Sequence, residues 1–198
     1  NIIGYDVDMA REMAKQMGVK LTLVPTAWDG IIAGLITDKY DIIMSGMTIT
    51  QQRNLEVNFS DPYIVVGQTV LLRNSLASTI KSAKDLDKPE YTIVTKLGVT
   101  GEIATRKFFK KAKIVTFETE SDATSEVLNG KADAMVYDQP YNVVFMSDKG
   151  KDKLVHLDTS LTYEPLGFAI RKGDPDFLNW LNNFIRQSKE DKVVGFSD

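Results

Sequence analysis

The sequence predicts an α/β protein of two similar lobes, each built on a mainly parallel sheet. Segments with helical and strand periodicity alternate along most of the chain, which is βαβ organisation. One such unit recurs, and each copy ends in a polar cluster just past a buried strand.

In order, Ala10, Met13, Ala14 and Met17 keep helical spacing and stop at Gly18. Val19, Leu21 and Leu23 then alternate as a strand up to Pro25. Ile31, Ile32, Leu35 and Ile36 form the next apolar helix face, leading into a strand at Asp41-Ile42-Ile43-Met44. A charged segment runs from Lys81 to Pro89. Beyond it the alternation resumes as strand from Tyr91 to Thr95, helix from Gly101 to Phe109 and strand from Ile114 to Phe117. A helix from Ser121 to Asn129 follows, stopped by Gly130, then a strand from Ala132 to Tyr137. Asp174 caps a final helix, Pro175 takes its first turn, and Phe177, Leu178, Leu181, Phe184 and Ile185 make its buried face.

Residues 35–44 line up with residues 127–136 as helix end, Lys, Asp and buried strand. The first copy is followed by Ser45 to Arg53, the second by Asp138-Gln139-Pro140. Two lobes facing each other across a cleft would explain this; chance similarity of two βαβ units is the alternative.

The stretch from Ser45 to Arg53 carries the sharpest chemical signal. With Ser45-Gly46 as a turn and Thr50 as N-cap, Arg53 falls at the third helical position, where a capping box would place Glu or Gln. A cation there is disfavoured by up to about 1 kcal/mol. A bound carboxylate, held bidentately, would compensate. Gly46 lets a ligand approach the backbone and Thr48 offers a hydroxyl, at the carboxyl end of a strand where open sheets bind ligands. The alternative is a surface arginine paired with Glu56 or Asp61.

Composition sets wide bounds. A chain of 198 residues, 43% hydrophobic, can bury a full core as one large domain or two small ones. A formal net charge of −3 without a long basic run argues against nucleic acid and anionic membrane as partners. Absence of Cys removes disulfide and thiolate chemistry and fits an exported bacterial protein. Neither a signal peptide nor a membrane-spanning apolar run is present, so export would mean that a signal had been removed. No His, Cys or carboxylate cluster has metal-ligand spacing, and the lone His156 lies in a strand pattern as a surface or packing residue.

Several segments, in this order along the chain, resemble the solute-binding proteins of polar amino acid ABC importers, type II periplasmic binding proteins with a Venus flytrap fold. They are Gly4-Tyr5-Asp6-Val7-Asp8-Met9-Ala10, Trp28-Asp29-Gly30-Ile31-Ile32, residues 41–53, Phe59-Ser60-Asp61-Pro62-Tyr63, Leu97-Gly98-Val99-Thr100-Gly101-Glu102, Gly130-Lys131-Ala132-Asp133-Ala134, Asp138, and residues 167–174. The resemblance implies two Rossmann-like lobes, residues 1–63 with 167–198 and residues 68–161, joined by a two-strand hinge near 63–67 and 162–166. It further implies a monomer in the periplasm, or outside a Gram-positive cell on a membrane anchor. Such a protein has no catalytic, cofactor or metal site, does not itself insert in the membrane, and delivers its ligand to an ABC importer permease.

Carried over by position, the resemblance implies that Arg53 holds the ligand's α-carboxylate with backbone N–H groups of Thr48, Thr100 and Gly101. Asp138 takes the α-ammonium, the Gly46 carbonyl and the Thr48 hydroxyl complete that shell, and Ser45 lies beside them. Trp28 lies against the ligand side chain, and Lys96 sits where the family often reads that side chain, commonly with Gln. Helix physics agrees in part: Thr100-Gly101 opens a helix whose N–H groups suit an anion. Alternatives remain for each: Trp28 as plain core, Asp138 as a cap of the helix at Pro140, and Lys96 as a solvated lysine.

Both ends depart from the family pattern. The first strand and its aromatic-rich ligand loop are missing before Gly4, while Lys192-Val193-Val194-Gly195-Phe196-Ser197-Asp198 resembles that first strand. The expectation is a circular permutation or rearrangement in which this tail completes the first lobe's sheet; truncation is the alternative. Two other outputs share the fold. Cyclohexadienyl dehydratases need an acid shortly after the Asp138 position, where this chain has Gln139-Pro140-Tyr141-Asn142. A receptor's sensory module would use the same site with a different output.

Overall fold

A computed structural model of the chain describes residues 2–191. The elements in chain order are α1 (Tyr5–Met17), α2 (Ile31–Ile36), β1 (Ile42–Ile43), α3 (Gln51–Asn54), β2 (Asn58–Phe59), β3 (Ile64–Val66), β4 (Gln68–Arg73) and β5 (Thr92–Lys96). They continue with α4 (Thr100–Phe108), β6 (Lys113–Phe117), α5 (Glu120–Leu128), β7 (Ala134–Asp138), α6 (Gln139–Asp148), β8 (Leu154–Leu157), β9 (Glu164–Leu166), β10 (Ala169–Ile170) and α7 (Pro175–Asp191). The chain forms two compact units, Asn1–Val65 with Pro165–Asp198, and Val66–Glu164. Strands β3 and β9, which pair with each other, carry the chain from one unit to the other.

In the second unit, five strands run in the order β6-β5-β7-β4-β8. Residues alternate between its faces, as strand geometry requires. Val70, Leu72, Ile93, Ala134 and Val136 join one buried cluster with Ile80 and Phe109. Leu71, Val94 and Met135 join another with Ala123 and Val127 of α5. A sheet covered on both faces accounts for the near-continuous apolar run Val70-Leu71-Leu72.

The α/β class expected from the sequence is what forms, but among the described residues the five-stranded sheet is mixed rather than mainly parallel. Parallel pairing occurs between β5 and β6 and between β5 and β7. Those are the strands linked by helical crossovers, α4 and α5, and a parallel pair needs such a crossover. Strand β4 pairs antiparallel with both β7 and β8, and its first residue, Gln68, faces Asp138 in register.

The first unit has a three-stranded sheet, β1-β10-β2, antiparallel throughout. Its core joins Ile31, Leu35, Ile43, Met47, Val57 and Ala169, with Trp28 packed against it. Helix α1 buries Met9, Ala10, Met13 and Ala14. Met17, expected on that face, is 42% exposed at the helix end. Asp174 caps α7 as expected, accepting from the Phe177 N–H at 2.9 Å. Leu181, Phe184 and Ile185 are buried; Phe177 and Leu178 are only partly so.

One expected strand does not form. Residues 19–27 belong to no ladder among the described residues, and Val19, Leu23 and Val24 are 56%, 39% and 47% exposed. Alternation states which side chains want burial, but a strand also needs a partner edge, and β1 pairs only with β10 among the described residues. Residues 21–26 and β1 instead flank an apolar groove of about 370 Å³ lined by Val7, Ala10, Ile31 and Ile43. The expectation that residues 192–198 complete this sheet concerns residues outside those described.

Candidate ligand-binding site

The Ser45 to Arg53 stretch is a pinned loop in the first unit. Gly46 adopts φ +59°, a left-handed conformation that a β-carbon would strain. Met47, wholly buried, anchors the loop in the core. Its carbonyl accepts from the Gly167 N–H at 3.1 Å, the Ile49 N–H donates to the Pro165 carbonyl at 2.8 Å, and Thr48 forms a β-bridge with Leu166. Thr50 is the N-cap expected from the sequence, its hydroxyl accepting from the Arg53 N–H at 3.1 Å.

Arg53 therefore does stand at the third helical position. Its Nη1 donates to the Thr48 carbonyl at 2.8 Å, and its guanidinium carbon lies 5.5 Å from the centroid of the Trp28 ring. Such a cation–π contact is worth about 0.5–1 kcal/mol where exposed, comparable to the helix-dipole cost. Asp61, one of the two acids considered as its partner, lies 3.7 Å from Arg186. Trp28 thus both packs on the core and flanks Arg53. Gly46 is half-buried, Thr48 buried and Ser45 exposed.

Below this loop sits Asp6. Its Oδ2 accepts from the Gly46 N–H at 2.7 Å. Burial pushes its carboxyl above the ordinary range, against the lowering effect of hydrogen bonds from Tyr63 and Gly46. Burial likewise pushes the Tyr63 phenol far up, Asp6 adding to the effect. Tyr63 is 3% exposed and stacks on Phe168 with centroids 4.4 Å apart.

The second unit gathers the other residues at strand ends and at the start of α4. Lys96, the last residue of β5, holds Glu120 at 2.8 Å, so it is ion-paired rather than simply solvated. Gly98 donates its N–H to Glu102 Oε2 at 2.8 Å, and Thr100 and Gly101 open α4. Asp138 ends β7 and precedes α6, yet its side chain makes no cap hydrogen bond to that helix. Instead, Oδ1 accepts from Gln68 Nε2 at 2.5 Å. The plain capping alternative for Asp138 is therefore not what forms. Beside it, burial pushes the Tyr137 phenol far up, with Asp138 and Glu120 adding to the effect.

Burial, the largest single influence, works to raise the Glu120 carboxyl, but the Lys96 contact together with a hydrogen bond from the Glu120 backbone N–H outweighs it and the net direction is down. A depressed folded value means that the pair stabilises the fold above the unfolded carboxylate range and loses that contribution as pH falls through the folded value. The denaturation midpoint of Glu120→Gln should accordingly lie below wild type at neutral pH and converge with it in acid. A difference independent of pH would show that the ion pair contributes nothing.

Residues 1–195 match the model of the bacterial extracellular solute-binding proteins, family 3. The chain belongs to this family. Among solved structures, a protein of Wolinella succinogenes DSM 1740, described as an ABC transporter binding component and complexed with lysine, superposes with a TM-score of 0.95 at 64% identity, covering 98% of this chain and 83% of that one. A histidine-binding protein assignment in Neisseria gonorrhoeae is 33% identical over 196 residues, 96% of this chain and 71% of the relative. The cyclohexadienyl dehydratase of Pseudomonas aeruginosa PAO1 is 34% identical over 135 residues, 68% of this chain and 50% of the enzyme.

Within this solute-binding chain, the expected residues fall into two groups. Trp28, Gly46, Thr48 and Arg53 come together with Ser45 in the first unit; Lys96, Thr100, Gly101 and Asp138 lie at strand and helix ends of the second. Sequence reasoning missed Asp6, Gln68 and Glu120 as supporting groups. Asp6 stood in the Gly4-Tyr5-Asp6 motif, and Gln68 begins an otherwise apolar strand as a wholly buried amide. No local signal marked Glu120. His156 is a packing residue: its Nε2 lies 2.8 Å from the Thr69 hydroxyl, and burial pushes its pKa down.

Proposed function

We propose that this chain binds a free polar L-amino acid and delivers it to the permease of an ABC importer. The observation that carries this reading is an arginine in the loop of one unit, Arg53, and an aspartate at a strand end of the other, Asp138, in a chain of the solute-binding family. A zwitterion presents the complementary pair. Arg53 takes the α-carboxylate bidentately, helped by N–H groups at the start of α4, while Asp138 takes the α-ammonium. Trp28 covers the side chain, and the Lys96–Glu120 pair borders it.

A ligand held by both units binds most strongly to the arrangement that engages both its ends, so it shifts the population toward that arrangement through the β3 and β9 crossings. The lysine complex of the Wolinella relative supports a cationic or polar side chain. The permease would recognise the ligand-bound form. No helix among the described residues is long and apolar enough to cross a membrane, and family membership supports placement in the periplasm or outside a Gram-positive cell on an anchor.

Binding without catalysis is the favoured reading despite the dehydratase relative. The chain has Gln139-Pro140-Tyr141-Asn142 after Asp138, with no carboxylate to act as a general acid there. Isothermal titration against the common L-amino acids tests the proposal: saturable binding of one or a few polar members is expected. Binding of none of them, or turnover of a cyclohexadienyl acid, would overturn it.

A further inference from the structure

Gln68 is wholly buried, and its backbone is fixed on both sides. Its N–H donates to the Thr162 hydroxyl at 3.1 Å, and its carbonyl accepts from the Leu161 N–H at 2.8 Å. The antiparallel register sets it directly across from Asp138. Its Nε2 donates to Asp138 Oδ1 at 2.5 Å. The amide oxygen, on the opposite side, is buried without a hydrogen-bond partner among the described residues.

That oxygen faces α4. A β-carbon on Gly101 would lie 2.6 Å from Gln68 Oε1 and 3.5 Å from the Thr95 hydroxyl. Gly101 lies inside a regular helix and is not among the glycines with positive φ, so the absence of a side chain there is explained by space rather than by backbone conformation. The amide cannot simply turn over, because its oxygen would then meet a carboxylate acceptor.

We infer that Gln68 is a positioning residue for Asp138, and that Gly101 is glycine to leave room for the Gln68 amide. This rests on the reading of Asp138 as the ammonium receptor. A donor fixed on Oδ1 sets the plane of the carboxylate, and with it the direction from which an ammonium can be accepted. The hydrogen bond is charge-assisted, with a wholly buried donor and a half-buried acceptor.

The test titrates Gln68→Met, Gly101→Ala and Asp138→Asn with L-lysine and with ε-aminocaproic acid, which is lysine without its α-ammonium. Gln68→Met should weaken L-lysine about tenfold, the equivalent of one lost hydrogen bond to a charged group. It should change ε-aminocaproic acid by less than about twofold. A merely structural role would weaken both probes alike, and that result, or no change in either, overturns the inference. Gly101→Ala reads the same contact from the other side. Because Gly101 also borders the ligand's carboxylate, both probes can weaken there, but L-lysine should lose clearly more than ε-aminocaproic acid, so an unfolded Gln68→Met leaves the question decidable. Equal losses, or both probes unchanged, in Gly101→Ala would overturn the assignment of Gly101. Asp138→Asn separates the two levels. Selective loss there combined with none in Gln68→Met sinks only the positioning role, whereas equal losses in Asp138→Asn, or binding of no common L-amino acid to wild type, sink the underlying ligand reading. A wild type that prefers another amino acid is tested with that ligand and its analogue lacking the α-ammonium.

Discussion

Arg53→Ala is expected to abolish measurable amino acid binding while leaving the protein folded. Removing one partner of a buried, hydrogen-bonded charge pair costs about 2–5 kcal/mol, on the order of 30-fold to several thousand-fold in affinity. The fold should tolerate the change because α3 has only four residues and its cap is the Thr50 side chain acting on the residue-53 backbone N–H, which alanine keeps. The losses to the protein itself include the hydrogen bond to the Thr48 carbonyl and the contact with Trp28. Arg53→Lys, retaining charge but not the planar fork, should fall between alanine and wild type. A titration showing less than about a fivefold loss in Arg53→Ala would rule out the carboxylate assignment.

Asp138→Asn is expected to weaken α-amino acids by on the order of 30-fold or more, with little effect on analogues that lack the ammonium. Only the former need a negative partner at the end of β7. Asparagine preserves the shape and can still accept the Gln68 amide hydrogen through its own oxygen, so the sheet register at Gln68 and Asp138 should survive. Competition titrations with matched pairs of ligands measure the difference. Equal losses for both members of a pair would remove Asp138 from the role of ammonium receptor.

What the sequence disclosed about this site was local in nature. Thr50 as a cap with Arg53 three residues later is a statement about one helical turn, and the structure repeats it. The same holds for Asp174 at α7, and the strands expected to end at Thr95 and Tyr137 each run one residue further, to Lys96 and Asp138. Contacts between distant segments were not legible. Asp6 meets Gly46 across 40 residues of chain, and Gln68 meets Asp138 across 70; both depend on packing and register that periodicity does not encode. The pattern of Val19, Leu21 and Leu23 promised a strand where no ladder forms, because alternation records a preference for burial and says nothing of the neighbouring edge. Parallel sheets were overestimated for a related reason. Helical crossovers stand out in a sequence, whereas the antiparallel returns through β4, β8 and β10 do not.

We propose that one zwitterion is held by Arg53 and Asp138 together. A crystal structure of the protein with the tightest-binding L-amino acid from titration would test it most directly. The ligand's carboxylate oxygens are expected within about 3 Å of the Arg53 guanidinium and its ammonium within about 3 Å of an Asp138 carboxylate oxygen. An amino acid bound with either charge directed elsewhere would contradict it.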